Sequence, residues 1–237
     1  MDPLGSASIG PWSRSMLQQW LEDVPLADFV ARQLGRSPLA RPSAAADVIP
    51  AFEWRSLERL LRRTDLDVLT IRGGRERAAP RPRDLAELRA LLDRGIGLVI
   101  RRAERHDATL AALGRELERD LPGRVHVQLF VTAGGTHGFG WHYDAEEVFI
   151  VQTEGRKDYY FRRNTFDPDP EPDAQPDFGR VRRETTPIMT STLLPGDWLY
   201  LPRGWWHVAR ARTESLSISL GLGPADAAPR RRGGGTA

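Results

Sequence analysis

The chain contains no cysteine, so few of its residue types can do chemistry. Disulfides, thiolate nucleophiles and Cys-ligated zinc or iron–sulfur sites are excluded, and any metal must be held by His, Asp or Glu. One spacing offers such ligands, His142-Tyr-Asp144, with His207 available downstream. On a strand, residues i and i+2 face the same side, so imidazole and carboxylate would converge. The pair alone is weak, because five histidines and 32 acids among 237 residues give about 0.7 such pairs by chance. A structural histidine beside a surface aspartate would account for it. Its surroundings change that reading. GGTHGFGWH (134–142) is a glycine-rich approach that lets backbone come close to a site. PGDWLYLPRGWWH (195–207) reads as a turn, a strand and a second turn that return one imidazole towards the first two ligands. Two histidines and one carboxylate occupy one face of an octahedral iron and leave three positions, enough for a bidentate 2-oxo acid and dioxygen.

The elements that must position these residues change character along the chain. Apolar residues at helical spacing predict two short helices within Ser15–Leu34, split at Pro25, and another over Trp54–Arg63. Asp84 with Glu87 resembles a capping box before a helix over Leu85–Arg94, and His106-Asp107 opens a helix running to Leu121. From Arg124 the period becomes two: Val125–Thr132 and Ser215–Leu220 alternate, with further strands over Val148–Gln152, Lys157–Arg162 and Trp198–Leu201. The expected fold is mainly β with α, a jelly roll or barrel with N-terminal helices packed outside. The organisation expected is a helical extension over 1–82, a core over 83–225 and a tail over 226–237. An acidic, proline-rich loop (164–178) interrupts the core.

Composition sets limits. Hydrophobic residues at 40% and charged residues at 28% fit a globular chain. No apolar run approaches the ~18 residues of a membrane span. Residues 1–12 lack the pattern of a secretory signal, so a cytoplasmic location and no membrane partner are expected. Basic and acidic residues, 34 and 32, are interleaved and leave a net charge of +2. The one basic cluster noted, Arg230–Arg232, lies in the tail, so no nucleic-acid partner is expected. Of the 34 basic residues 33 are arginine, and the single lysine is Lys157. A chain that uses arginine for ordinary positive charge has kept one compact ammonium, as a narrow slot facing a carboxylate would require.

The text GxxHGFGWHYDAEEVFIVQTEGRK, followed by LLPGDWLYLPRGWWH, resembles the JmjC-type, cupin-fold 2-oxoglutarate oxygenases, nearest to the ribosomal-oxygenase-like branch that hydroxylates protein side chains. The resemblance implies a double-stranded β-helix with His142, Asp144 and His207 as ligands of Fe(II). It implies Lys157 as partner of the distal carboxylate of 2-oxoglutarate and Gln128 as an amide near the co-substrate; Tyr159 and Ser219 are candidate hydroxyl contacts between which the sequence does not choose. It also implies dioxygen as a reactant, with succinate and CO2 released. Phe139 and Trp141 depart from the small or proline residues more usual in that loop. With His137, Trp205 and Trp206 they are candidates for the substrate mouth. Glu146 and Glu147 are additional carboxylates, but Asp144 already completes the ligand set. A protein or peptide side chain is the expected target. The acidic loop suggests a basic peptide, with Asp167, Asp169, Glu171, Asp173 and Asp177 as its rim. A small natural-product scaffold is the alternative substrate, and a non-catalytic metal-binding cupin the alternative function.

Overall fold

The computed structural model describes residues 15–171 and 178–223. Helices α1 (Met16–Leu21) and α2 (Leu26–Arg32) open it, separated at Pro25, which supplies the N-cap of α2. Then follow β1 (Leu39–Arg41), α3 (Trp54–Leu61), the hairpin β2 (Asp67–Arg72) and β3 (Arg75–Glu76), α4 (Leu85–Leu92), β4 (Gly97–Arg101) and α5 (Ala108–Asp120). The remainder is β5 (Arg124–Thr132), β6 (Glu147–Glu154), β7 (Lys157–Arg162), α6 (Phe178–Arg183), β8 (Met189–Leu193), β9 (Trp198–Leu201), β10 (Trp206–Ala211) and β11 (Ser215–Gly223). Strands β1 to β4 fall before Arg124, where the sequence suggested helices and connections. They are short or lack clean alternation, which hides them from periodicity.

Two antiparallel sheets form a jelly roll. The larger has the order β1-β9-β6-β11-β5-β4-β2-β3, and the smaller β10-β7-β8. The large sheet is covered on both sides. Its outer face carries Val127, Leu129, Val131, Phe149, Val151, Leu216, Ile218 and Leu220 into one core with α1, α3 and α5. Its inner face sets Val148, Ile150, Leu199 and Leu201 against Tyr159, Phe161 and Leu193 of the small sheet. Strands β6 and β9 are apolar on both faces and read as continuous runs, whereas β5 and β11 turn polar residues to the cavity and alternate, although β11 is buried throughout. Among the alternating strands, Gln128, Phe130, Ser217 and Ser219 point between the sheets, where the cavity lies.

Asp84 caps α4 by accepting the Glu87 N–H at 2.8 Å, but Glu87 reaches back to the N–H of Arg83 rather than to that of the cap residue. Asp107 accepts the N–H groups of Thr109 and Leu110 at 2.9 and 3.0 Å and thereby starts α5, whose Leu110, Leu113 and Leu117 are buried. Asp107→Ala is expected to cost about 1 kcal/mol, the usual loss for an N-cap carboxylate. The check is a lower urea midpoint at unchanged slope.

Candidate metal centre

His142 and Asp144 lie in the connection between β5 and β6, and only His142 has a ladder partner there. Their convergence therefore does not come from a shared strand face. Instead His142 forms an isolated antiparallel bridge with His207 of β10. The His142 N–H donates to the His207 carbonyl at 3.0 Å, and the His207 N–H to the His142 carbonyl at 2.7 Å. Asp144 is held by its own carbonyl, which accepts the N–H of Gly204 at 2.8 Å. The glycine-rich approach and the PRGWWH turn are thus pinned to each other by backbone bonds that do not depend on the ligand side chains.

The three side chains meet, with one ligand atom from each lying within 4.8 Å of the others. The two rings are 4.2 Å apart between centroids, and His207 Nε2 lies 3.5 Å from Asp144 Oδ2. His142 Nδ1 is 2.8 Å from the Gly140 carbonyl and His207 Nδ1 is 3.0 Å from the Trp205 carbonyl. A carbonyl only accepts, so each Nδ1 carries the proton and each Nε2 keeps a free lone pair. Burial, reinforced by the neighbouring His142, pushes the His207 imidazole down to about 4, so it is neutral at ordinary pH. Two oriented imidazoles and one carboxylate form a donor set suited to Fe(II) with open positions. Among the described residues it is the only such group. Glu147 is engaged elsewhere, with the Tyr200 hydroxyl, and Glu146 lines the cavity without joining the set.

The centre opens into a cavity of about 570 Å³ between the sheets. Lys157 begins β7, two residues after Gly155. The glycine has φ 73°, and a Cβ there would come within 2.0 Å of the Glu214 carbonyl oxygen, so only glycine fits that turn. In register, Lys157 lies opposite Ala211 while His207 lies opposite Phe161. That is four residues apart, about 13 Å along the strand, so ammonium and ligands approach the cavity from separate ends. Lys157 is 3% exposed, and its Nζ donates to Ser217 Oγ at 3.1 Å. No acid among the described residues pairs with it, and burial pushes the ammonium down to about 7. An ammonium has three donors; one is used here, which fits a cavity built to receive a carboxylate.

Gln128, Tyr159 and Ser219 line the same cavity, as does Phe139. Burial raises the Tyr159 phenol, which stays neutral. The other mouth candidates lie elsewhere. Trp206 is fully buried and packs edge-on against Tyr143 at 4.8 Å, and Trp205 packs on the inner core. His137 bridges to Arg210, and Trp141 is half-buried outside the cavity lining. Ser217 was not among the residues singled out, although it alternates with Ser215 and Ser219 and that polar face was legible. Leu69 and Arg101 also line the cavity, from β2 and β4, and nothing in the sequence marked them.

The acidic loop is tied down on its first half. Asp167 accepts from the Tyr143 hydroxyl at 3.0 Å, and Asp169 pairs with Arg203 at 2.9 Å. Asp167 and Asp169 thus contact the ligand-bearing segments, Asp169 through an exposed ion pair, and Glu171 is exposed. Asp173, Asp177 and Arg230–Arg232 lie outside the described residues.

A model of the JmjC domain matches residues 106–228. The chain is 26% identical over 216 residues to the bifunctional lysine-specific demethylase and histidyl-hydroxylase NO66 of Drosophila persimilis, covering 87% of this chain and 31% of that protein. It is 32% identical over 95 residues to ribosomal oxygenase 1 of Gallus gallus, covering 38% of this chain and 15% of the other. The ribosomal oxygenase YcfD of Escherichia coli, solved in complex with cobalt and 2-oxoglutarate, superposes with a TM-score of 0.61 at 21% identity over 89% of this chain and 53% of that one. The chain thus spans about half of these structural neighbours and a third or less of the curated relatives.

Proposed function

The chain belongs to the JmjC-domain family, and from that premise we propose that it is an Fe(II)- and 2-oxoglutarate-dependent hydroxylase of a protein side chain. The observation that carries this reading is one cavity with a 2-His-1-carboxylate set at one end and a buried ammonium without a counter-charge at the other. His142, Asp144 and His207 would hold the iron, and Lys157 with Ser217 would take the far carboxylate of 2-oxoglutarate. Iron and 2-oxoglutarate, when bound, would let dioxygen oxidise a C–H bond, one oxygen atom entering the substrate and the other the succinate formed with loss of CO2. The chain's own part is placement and the exclusion of water. Nδ1–H donation to Gly140 and Trp205 fixes both rings, and the apolar faces of Phe130, Val148 and Ile150 line the cavity beside the polar ones. A protein target, ribosomal proteins first, is favoured by the relatives named ribosomal oxygenase, and a cytoplasmic site of action belongs to the same reading.

The test is consumption of 2-oxoglutarate by iron-loaded protein with and without ribosomal proteins, read as succinate together with substrate mass. A gain of one oxygen supports hydroxylation. Loss of a methyl with release of formaldehyde indicates demethylation instead, and no consumption under any condition returns the chain to the non-catalytic cupins.

Lys157 also sets a pH dependence. Binding a carboxylate requires the charged ammonium, whose value in the empty cavity is about 7. Below pH 7 the ammonium is already charged. Above it, each binding event must take up a proton, and affinity falls by up to about tenfold per pH unit. His207 and Tyr159 keep their neutral forms through this range. Anaerobic titration of 2-oxoglutarate into metal-loaded protein is expected to show roughly 100-fold weaker binding at pH 9 than at pH 7, with proton uptake on binding.

A further inference from the structure

The hairpin β2–β3 and the turn before β4 enclose a second depression, about 650 Å³, lined by Arg72, Gly73, Arg75, Arg77 and Arg94 with Ala78 and Ile96. All four arginines are exposed, and none forms an ion pair or a side-chain hydrogen bond with another described residue. The turn residues Gly73 and Gly74 have φ 59° and 81°, the left-handed pair that a tight two-residue hairpin requires. The turn sets Arg72 directly opposite Arg75. The ladder continues through the Arg77 N–H to the Thr70 carbonyl at 2.8 Å. Arg72, Arg75 and Arg77 therefore share one face, while Glu76, opposite Ile71, points to the other. Like charges placed directly opposite each other weaken a sheet, and Arg94 adds a fourth from another element. Protecting the edge strand β3 against pairing needs charge, but not four charges of one sign gathered from two elements.

We propose that this depression is a binding site for the phosphodiester backbone of a nucleic acid. Guanidinium forks grip phosphate oxygens bidentately, and bare glycine backbone lets a chain approach closely. The apolar side chains in the lining are Ala78 and Ile96, of which Ile96 is buried. An acidic peptide would need apolar pockets for its anchor side chains, whereas a phosphodiester chain binds through charge alone. The site adjoins the metal cavity: Gly74 lines that cavity and bridges to Phe139 of the ligand loop. Leu69, which lines the metal cavity, shares its face of β2 with Ile71, so the arginines face the other side of the hairpin. The chain's net charge of +2 gives only a weak general attraction for polyanions.

The test needs neither iron nor 2-oxoglutarate, so its failure would leave the hydroxylase reading untouched. Fluorescence anisotropy with 20-mer oligouridylate and oligothymidylate, over a salt series, is run on three proteins. They are the wild type, the quadruple variant Arg72→Ser, Arg75→Ser, Arg77→Ser and Arg94→Ser, and a control with Arg32, Arg55, Arg105 and Arg124, all exposed, changed to Ser. The expected result is salt-dependent binding by the wild type and the control. The patch variant should lose at least about tenfold in affinity, with a log–log salt slope shallower by about 2–3. The proposal is overturned if the wild type does not bind either oligomer, if the control loses as much as the patch variant, or if poly-L-glutamate of equal charge binds the patch as tightly.

Discussion

Replacing His142, Asp144 or His207 singly with alanine is expected to lower iron-dependent 2-oxoglutarate turnover more than about 100-fold while the protein stays folded. Losing an outer-shell partner of a metal ligand typically costs about 10–100-fold, and losing the ligand itself costs more. The fold survives because the reciprocal backbone bonds between 142 and 207, and the Gly204 N–H bond to the 144 carbonyl, need no side chain. Asp144 is 42% exposed at its side chain, so its removal opens no core. His207 is buried, but it faces the cavity and not the packed core behind the sheet. Turnover of metal-reconstituted variants, alongside far-UV circular dichroism and Tm, checks both halves. Near-wild-type turnover in any one variant would remove that residue from the ligand set.

Lys157→Met is expected to move stability and binding in opposite directions. The depression of the ammonium from 10.5 to about 7 means that folding pays for a buried charge without a counter-charge. Methionine has nearly the same length and no charge, so the co-substrate-free variant should gain about 2 kcal/mol at pH 6–7. The sign follows from linkage: the unfolded lysine binds its proton up to about pH 10.5, the native one only to about pH 7. The gain is therefore full below pH 7 and fades as pH rises from 7 towards 10.5. Binding of 2-oxoglutarate should weaken by at least about 100-fold, because its far carboxylate then lies buried without a partner. Urea unfolding across pH and anaerobic titration of the metal-loaded variant read the two effects. A variant less stable than wild type at pH 6, or one binding 2-oxoglutarate normally, would show that Lys157 sits in a different environment.

Much of the fold was legible because its signals are local. Pro25 separates α1 from α2, Asp107 starts α5, and the alternation of Val125–Thr132 and Ser215–Leu220 marks the two strands that lie side by side as β5 and β11. What stayed hidden lacks a local signal. Strand β1 has three residues and exists because Leu39–Arg41 can pair with β9. Strands β2 and β3 extend the far edge of the sheet through β4. Trp206 looked like a mouth residue because aromatic pairs beside a ligand commonly shape a pocket. On β10, however, Trp206 and His207 face opposite sides of the strand, so placing the imidazole in the cavity puts the indole in the interior.

The sequence by itself determined the chemistry available: no thiol, one lysine among 33 arginines, and a His-x-Asp and a distant His in texts rich in glycine and tryptophan. Those are properties of residue type and spacing, and they survive without coordinates. Only the tertiary structure decided how they meet. The ligands converge through a backbone bridge between the β5–β6 connection and strand β10, not through a shared strand face. The lone ammonium is buried against Ser217 from a strand 60 residues away. Arginines that read as interleaved charge become a patch because a glycine turn folds three of them onto one face and the turn between α4 and β4 delivers the fourth. Charge along a chain is fixed by its order, but the field that charge makes depends on which residues the fold sets side by side.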